Sequence, residues 1–370
     1  MTIDLEVDPT KKPDRRDDDQ EALLVVENLT VTFPTDDGDV KAVRGVSYTV
    51  RAGESIGIVG ESGSGKSVSS LAVMGLLPRS ARINGSVRFR GQELLGMDET
   101  EYSRLRGNRI AMIFQDPLTS LNPVYTIGYQ IAEAVLAHNK VSHDQARKRA
   151  IELLGIVGIP FPEQRVDSFP HELSGGMRQR VVIAIAMTNN PDVIIADEPT
   201  TALDVTVQAQ VLEALEAARD ATGAALVLIT HDLGVIAGHA KRICVMYAGK
   251  LVETGSTEDV FYRPRMPYTL GLLGSLPRMD QQRQERLTPI KGSPPSLLNL
   301  PPGCPFTPRC PIAEEICDRE EPALEEVAGS GHAAACHFRN RTADASASDL
   351  FSSESETAAA PRGDDEVSAQ

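Results

Sequence analysis

A chain of 370 residues with a formal net charge of −15 can hold one large domain or two smaller ones around a sizeable core. Residues 1–20 carry −3 and residues 341–370 carry −5, which leaves −7 on the body, and a body of that sign lacks the basic face of a nucleic-acid binder. The first residues have no apolar signal segment and no apolar run approaches the roughly 18 residues of a membrane span, so the chain is expected to be cytosolic and to meet a membrane only through a partner.

Residues 1–20 are polar, and residues 341–370 are rich in Ser, Ala and acids; both read as disordered tails. Leu23 to Phe33 alternates apolar and polar as a strand does. Thr35-Asp36-Asp37-Gly38-Asp39 then reads as a turn into an antiparallel partner, Ala42 to Val50. A further strand, Gly85 to Arg90, completes a small antiparallel sheet.

Inside that sheet's span lies the chain's most informative stretch. The apolar strand Ser55 to Val59 runs into Gly60-Glu61-Ser62-Gly63-Ser64-Gly65-Lys66-Ser67, and helical spacing follows from Val68 to Leu77. Glycines here let the backbone curl so that successive N–H groups point at one anion, and the positive end of the next helix adds to the attraction. Lys66 is then expected to reach the β- and γ-phosphates of a nucleoside triphosphate, and the Ser67 hydroxyl to ligate Mg²⁺. Gly60, Ser62, Gly63, Ser64 and Gly65 make up the rest of the cradle.

Residues from about 98 to 170 are rich in helical spacing and acid–base pairs. Within them Gln115 follows a strand-like stretch and is placed to reach a metal or a water. Leu173-Ser174-Gly175-Gly176-Met177 opens an apolar helix, with Ser174 as its cap and two glycines leaving its tip unobstructed. Such a tip is an anion site, yet the chain already has one phosphate loop, so this second site needs another ligand or another subunit.

Three apolar strands follow: Val193 to Asp197, Ala225 to Thr230 and Arg242 to Tyr247. A helical segment, Val205 to Ala221, lies between the first two. Strand–helix–strand alternation marks a parallel sheet with crossovers. Asp197 and Glu198 end the first of these strands. Asp197 is placed for the Mg²⁺ shell and Glu198 to orient the attacking water, although acids at a strand end can equally serve solvation. His231 directly follows the second strand, whose end a parallel sheet brings close to the phosphate loop.

Of five cysteines, Cys244 sits in an apolar run and reads as core. Cys304, Cys310, Cys317 and Cys336 lie in a Pro-rich, irregular segment at intervals of five, six and eighteen residues. Disulfides do not suit a cytosolic chain. Four thiolates suit tetrahedral Zn²⁺ or an iron–sulfur cluster, and unliganded thiols remain an alternative. The intervals are not the short pairs usual for structural zinc, and His332 and His337 stand near the last cysteine as substitute ligands or solvated side chains.

Taken together, these motifs resemble the ATPase subunits of ATP-binding-cassette (ABC) transporters. Gly60 to Ser67 match the family's Walker A, Val193 to Glu198 its Walker B, and Leu173 to Met177 its signature, with Met177 where Gln is more usual. Gln115 matches the Q-loop, Ala202-Leu203-Asp204 the D-loop and His231 the switch histidine, while Phe33 stands where the family places an adenine-stacking aromatic. The stretch Phe114 to Pro123, Met177 and the extension from Pro267-Tyr268-Thr269 through Gly292 to Leu297 into the cysteines are similar to the dipeptide/oligopeptide importer (Dpp/Opp D-type) branch.

The resemblance implies an α/β fold: a P-loop NTPase (RecA-like) parallel-sheet core with an antiparallel β subdomain, an inserted α-helical subdomain and an irregular C-terminal extension. It implies a disordered tail over 1–20, an ATPase domain over 21–260 with the helical subdomain at about 98–170, the extension over 261–340 and an acidic tail over 341–370. Implied cofactors are ATP, Mg²⁺ held by Ser67, Gln115 and Asp197, and a [4Fe–4S] cluster on the four late cysteines, with Zn²⁺ as the alternative. Glu198, His231 and Gln115 carry catalysis, and Asp204 lies at the nucleotide interface.

Implied partners are a paralogous ATPase subunit that completes a head-to-tail nucleotide sandwich, two membrane permease subunits and an extracytoplasmic substrate-binding protein, with no nucleic acid. In that sandwich Ser174, Gly175 and Gly176 of one subunit face the γ-phosphate held by the other. The implied location is the cytoplasmic face of the cell membrane, and the implied cargo is di- or oligopeptide, with nickel or another small solute as the alternative. A soluble ABC protein of ribosomes or repair usually has two cassettes or a long coiled coil, and this chain shows one cassette and no sustained heptads. A nonhydrolytic scaffold would not need Lys66, Asp197, Glu198 and His231 together.

Overall fold

The apolar runs pair into two sheets in a computed structural model that describes residues 22–201, 203–276, 289–327, 331–343 and 345–351. Twelve strands occur among these residues. They are β1 (Leu24–Thr35), β2 (Gly38–Val50), β3 (Ser55–Val59), β4 (Arg82–Phe89), β5 (Gln92–Glu93), β6 (Ile110–Ile113), β7 (Val193–Asp197), β8 (Ala225–Thr230), β9 (Arg242–Tyr247), β10 (Lys250–Ser256), β11 (Glu325–Glu326) and β12 (Ala333–Ala334). One sheet is antiparallel in the order β2-β1-β4-β5; the other has the order β11-β12-β10-β9-β3-β8-β7-β6.

In the larger sheet β9, β3, β8, β7 and β6 run parallel. Every residue of β3, β7 and β8 is buried, as strands covered on both faces require. Their side chains feed two cores. Ile56, Ile58, Ile195 and Val227 face the antiparallel sheet with Leu24, Val46 and Val87; Ile194, Leu226 and Leu228 face the helical side with Leu153, Val181 and Leu215. Parallel pairing in register puts Val59 beside Thr230, Asp197 beside Ile229 and Ala196 beside Ile113. Four chain segments therefore leave the sheet at one edge, where open α/β sheets bind ligands.

Residues 98–170 are not one helical unit. Helix Glu99–Leu105 is followed by β6, which joins the parallel sheet beside β7, so the helical insert begins after Ile113. It contains helices Ile127–Leu136 and His143–Ile156, the latter started by a capping box in which Ser142 and Gln145 satisfy each other's backbone N–H. Among the described residues no helix is long and apolar enough to cross a membrane.

The C-terminal extension is less irregular than its composition predicts. β12 pairs with β10 and β11 with β12, so the extension lengthens the main sheet by two short strands. Glu253 of β10 is fully buried there, and it accepts hydrogen bonds from the backbone of Arg265 (2.6 Å) and Met266 (3.2 Å) and pairs with His332 Nε2 at 2.7 Å. A third core of Tyr268, Phe306, Tyr247 and Val245 binds this region to the cassette. Burying side chains of that size stabilises by about 1.5–3 kcal/mol each. Residues 341–351 are not a free tail as far as they are described: helix Ala347–Phe351 sets Phe351 into this same core. The predicted tail at residues 1–20 and residues 352–370 of the other lie outside the described residues.

Candidate nucleotide site

β3 is followed at once by the loop Gly60–Ser67, which turns into helix Lys66–Val73. Gly63 and Gly65 have φ of 78° and 102°, a region that side chains disfavour. A Cβ on Gly65 would stand 2.4 Å from the Ala42 carbonyl oxygen, and one on Gly60 2.2 Å from that of Met246. Glycine is thus required here by both conformation and contact. Lys66 folds back over the loop, donating to the carbonyls of Gly60 (2.7 Å) and Glu61 (3.1 Å), with its Nζ 3.8 Å from Glu198 Oε1. Burial lowers its pKa, and the nearby charges of Glu198, Asp197 and Glu61 oppose that shift.

Ser67 Oγ donates to Asp197 Oδ1 at 2.9 Å, which brings two hard oxygen donors together as a Mg²⁺ ion needs. Burial raises the Asp197 pKa and the Glu198 charge adds to it, while Ser67 and Lys66 pull it down. A divalent cation would restore the charged form.

Glu198 is the convergence point. Its Oε2 accepts from Gln115 Nε2 (3.0 Å) and from Thr201 Oγ1 (2.9 Å), and His231 Nδ1 lies 3.4 Å away. Its φ of 46° is left-handed, a strained state held by its own N–H donating to the Ile229 carbonyl at 2.8 Å. Gln115 therefore stands on Glu198 and not on the Ser67–Asp197 pair. Lys66, Ser67, Gln115, Glu198 and His231 line one open cleft of about 740 Å³, together with Glu61, Gly63 and Pro294.

Phe33, the helix tip at Ser174, Gly175 and Gly176, and Asp204 lie apart from this cleft. Phe33 sits on β1 opposite Val40, partly buried against the antiparallel-sheet core and outside the cleft lining. Ser174 caps helix Gly175–Ala186 by accepting from the Met177 N–H. Gly176 packs so closely that a Cβ would stand 2.3 Å from Val207 Cγ1. None of Ser174, Gly175 and Gly176 lines the cleft. Asp204 caps helix Val205–Thr222, accepting from Thr206 and Val207 at 3.1 and 3.0 Å. Its neighbour Ala202 lies outside the described residues.

Cys304, Cys310, Cys317 and Cys336 line one small cavity of about 20 Å³ with Phe306, Pro322 and Phe338, and all four are free thiols. Burial raises the thiol pKa of Cys310 to about 12 and of Cys336 to about 11. Their common cavity and soft donor chemistry fit a thiophilic group. Even so, among the described residues no group of three or more His, Cys, Asp and Glu is arranged to hold a metal ion. Of the two histidines, only His337 lines the thiol cavity. His332 is buried against Glu253, and His337 Nε2 lies 3.0 Å from the Glu320 carbonyl.

Sequence reasoning missed Thr201 as a partner of Glu198, and it missed Glu61 and Pro294 in the cleft. It also missed Tyr268 and Arg309, which contact Glu61 from the extension at 2.8 Å and 2.6 Å. Only Thr201, three residues past Glu198 in the same turn, carried a local signal.

The family model described as "ABC transporter" matches residues 43–201, and "Oligopeptide/dipeptide transporter, C-terminal region" matches residues 252–317. The oligopeptide transport ATP-binding protein OppD of Mycobacterium tuberculosis is 55% identical over 346 residues, which cover 93% of this chain and 56% of that protein. The chain thus spans little more than half the length of that relative. The dipeptide transport ATP-binding protein DppD of Bacillus subtilis is 50% identical over 326 residues, covering 88% of this chain and 97% of that protein. Among solved structures, a dimeric ATP-binding cassette in a post-hydrolysis state bound to ADP and Pi superposes with a TM-score of 0.57. It is 28% identical and covers 63% of this chain and 98% of that one.

Proposed function

The chain belongs to the ABC transporter family of ATP-binding proteins, and from that we propose that it hydrolyses ATP to power import of di- or oligopeptides. The observation that carries the reading is the convergence of Gln115, Thr201, His231 and Lys66 on Glu198, beside the Ser67–Asp197 pair. The N–H groups of Gly60–Ser67 bind the triphosphate, and Lys66 exchanges its two loop carbonyls for phosphate oxygens. Ser67 and Asp197 would hold Mg²⁺, which, when bound, supplies positive charge to the phosphates. Glu198 accepts a proton from the attacking water and orients it; Gln115 and Thr201 fix the carboxylate, and His231 is poised beside it.

The helix tip at Ser174, Gly175 and Gly176 is a second anion site that this chain's own cleft does not use. It completes the site of a facing cassette, a paralogous subunit, and Asp204 lies at that seam. Phe33 stacks on the adenine. Two permease subunits and an extracytoplasmic binding protein complete the importer, which places this chain at the cytoplasmic face of the membrane. A Gly175→Asp variant tests the sandwich, since a Cβ there stands an uncrowded 3.6 Å from Leu203 Cδ2: the chain should bind ATP as before, while turnover in the assembled transporter falls at least a hundredfold. Undiminished turnover would remove the facing cassette from the mechanism.

The four thiols sharing one cavity support a [4Fe–4S] cluster that pins the extension. About four iron and four sulfide per anaerobically purified chain are expected; a colourless preparation without iron sinks that assignment, and zinc in its place selects the alternative.

A further inference from the structure

Glu61 occupies a position of the phosphate loop where the loop pattern specifies no residue, yet its side chain and backbone are both tied to the extension. Its backbone N–H donates to the Tyr268 hydroxyl at 2.8 Å. Both of its carboxylate oxygens accept from the Arg309 guanidinium, Oε2 from Nη1 at 2.6 Å and Oε1 from Nη2 at 2.8 Å. This is the two-point fork that a carboxylate takes only from arginine. Arg309 lies 248 residues away in the extension, and its side chain is 4% exposed.

Arg309 is itself fixed from several directions. Its Nε donates to the Lys291 carbonyl at 3.1 Å and its Nη1 also to the Tyr247 hydroxyl at 3.3 Å. Its guanidinium lies 5.9 Å and 5.8 Å from the ring centroids of Tyr247 and Phe306. Arg309 ends the short turn Thr307–Arg309, directly before Cys310, so the chain that forms the cysteine cavity also aims the guanidinium. Pro294, from the same extension, lines the cleft beside the loop.

The consequence is electrostatic. Glu61 lines the cleft, and its carbonyl is one of the two on which Lys66 rests. A bare carboxylate there would repel an incoming triphosphate. The fork cancels that charge and, with Tyr268, fixes the start of the loop.

We propose that Arg309 is a positioning residue of the nucleotide site, acting through Glu61: the C-terminal extension sets the affinity of the phosphate loop for ATP by neutralising and anchoring that carboxylate. This rests on the cleft being the ATP site. In the sheet's frame the extension is therefore a working part of the nucleotide pocket and not an appendage.

The test is magnesium–ATP titration of the full chain by calorimetry, with Arg309→Gln, Glu61→Gln and the double variant. Arg309→Gln should weaken binding by about tenfold, within the range usual for coupled sites. Glu61→Gln should bind no worse than the native chain, because it removes the repulsive charge. The double variant should return to within about threefold of native affinity, since Arg309 then has no charge left to cancel. A merely structural role would leave the double variant as weak as Arg309→Gln, and that result overturns the proposal, as does native-like binding by Arg309→Gln. Should Arg309→Gln not fold, Glu61→Asp decides alone. It keeps the charge but withdraws the carboxylate from the fork, so weakened binding supports the proposal and unchanged binding overturns it. Failure of the native chain to bind ATP refutes the site reading too, whereas native binding with indifferent variants refutes only the role of Arg309.

Discussion

Glu198→Gln separates binding from chemistry, because the two ends of this carboxylate do different things. Oε2 accepts from Gln115 and Thr201, and an amide oxygen in its place keeps both hydrogen bonds. Oε1 lies 3.8 Å from Lys66 Nζ, where opposite unit charges attract by about 1 kcal/mol at the dielectric of water and about 4 kcal/mol at an effective constant near 20. ATP must draw Lys66 away from that partner and bring phosphate charge toward the same carboxylate. The amide removes both costs, so ATP affinity should rise about fivefold or more, the equivalent of about 1 kcal/mol. Turnover should fall by about a hundred- to ten-thousandfold, the contribution of a positioned general base, or about 3–5 kcal/mol of barrier. Phosphate release by the proposed transporter assembly, at saturating ATP, measures the second effect. Equilibrium titration of the full chain measures the first. Turnover within tenfold of native, or weaker binding, would refute the assignment of Glu198.

Three further outcomes follow from local geometry. Gly65→Ala should lower stability by at least about 2 kcal/mol and abolish ATP binding, since it forces a side chain into φ 102° and a backbone carbonyl 2.4 Å from the new Cβ cannot swing away; a native urea midpoint would contradict this. Glu253→Ala leaves His332 and two backbone N–H groups without their buried acceptor, so about 3 kcal/mol should be lost and limited proteolysis should open the chain after residue 256 first. Uniform loss of protection along the whole chain would argue against that local anchor. In metal-free chain, Cys310 and Cys336, raised to about 12 and about 11, stay protonated at neutral pH. Their thiolate fraction at pH 8 is about a hundredfold or more below that of an ordinary thiol, and alkylation should accelerate steadily from pH 8 toward pH 11. Alkylation at pH 8 as fast as free cysteine would show that these thiols are not buried.

The parts of the site that were legible in the sequence are those whose chemistry is local. Glycine spacing in Gly60–Ser67, acids closing the run Val193–Asp197 and a histidine closing Ala225–Thr230 each follow from one strand and the turn after it. Their meeting at one sheet edge required only that β6, β7, β8 and β3 be parallel neighbours, which strand–helix alternation implies. Composition misled where a short pattern was averaged with its surroundings. The strand-like stretch before Gln115, Ile110–Ile113, stays inside a helix-rich window although it pairs in the main sheet, and the helix Ala347–Phe351 is lost in an acidic one.

The extension was illegible for a deeper reason. A phosphate loop binds through backbone N–H groups, so its chemistry constrains the glycines, the lysine and the serine and leaves the intervening side chains unassigned. Those unassigned positions are where an added element can take hold without disturbing the binding atoms. Glu61 is one: nothing around it marks a partner, and its partners Tyr268 and Arg309 lie 207 and 248 residues away. Contacts of that span leave no periodicity and no local spacing. A reading of motif positions therefore finds the site that all cassettes need, while the side chains between those positions carry what this chain adds to it.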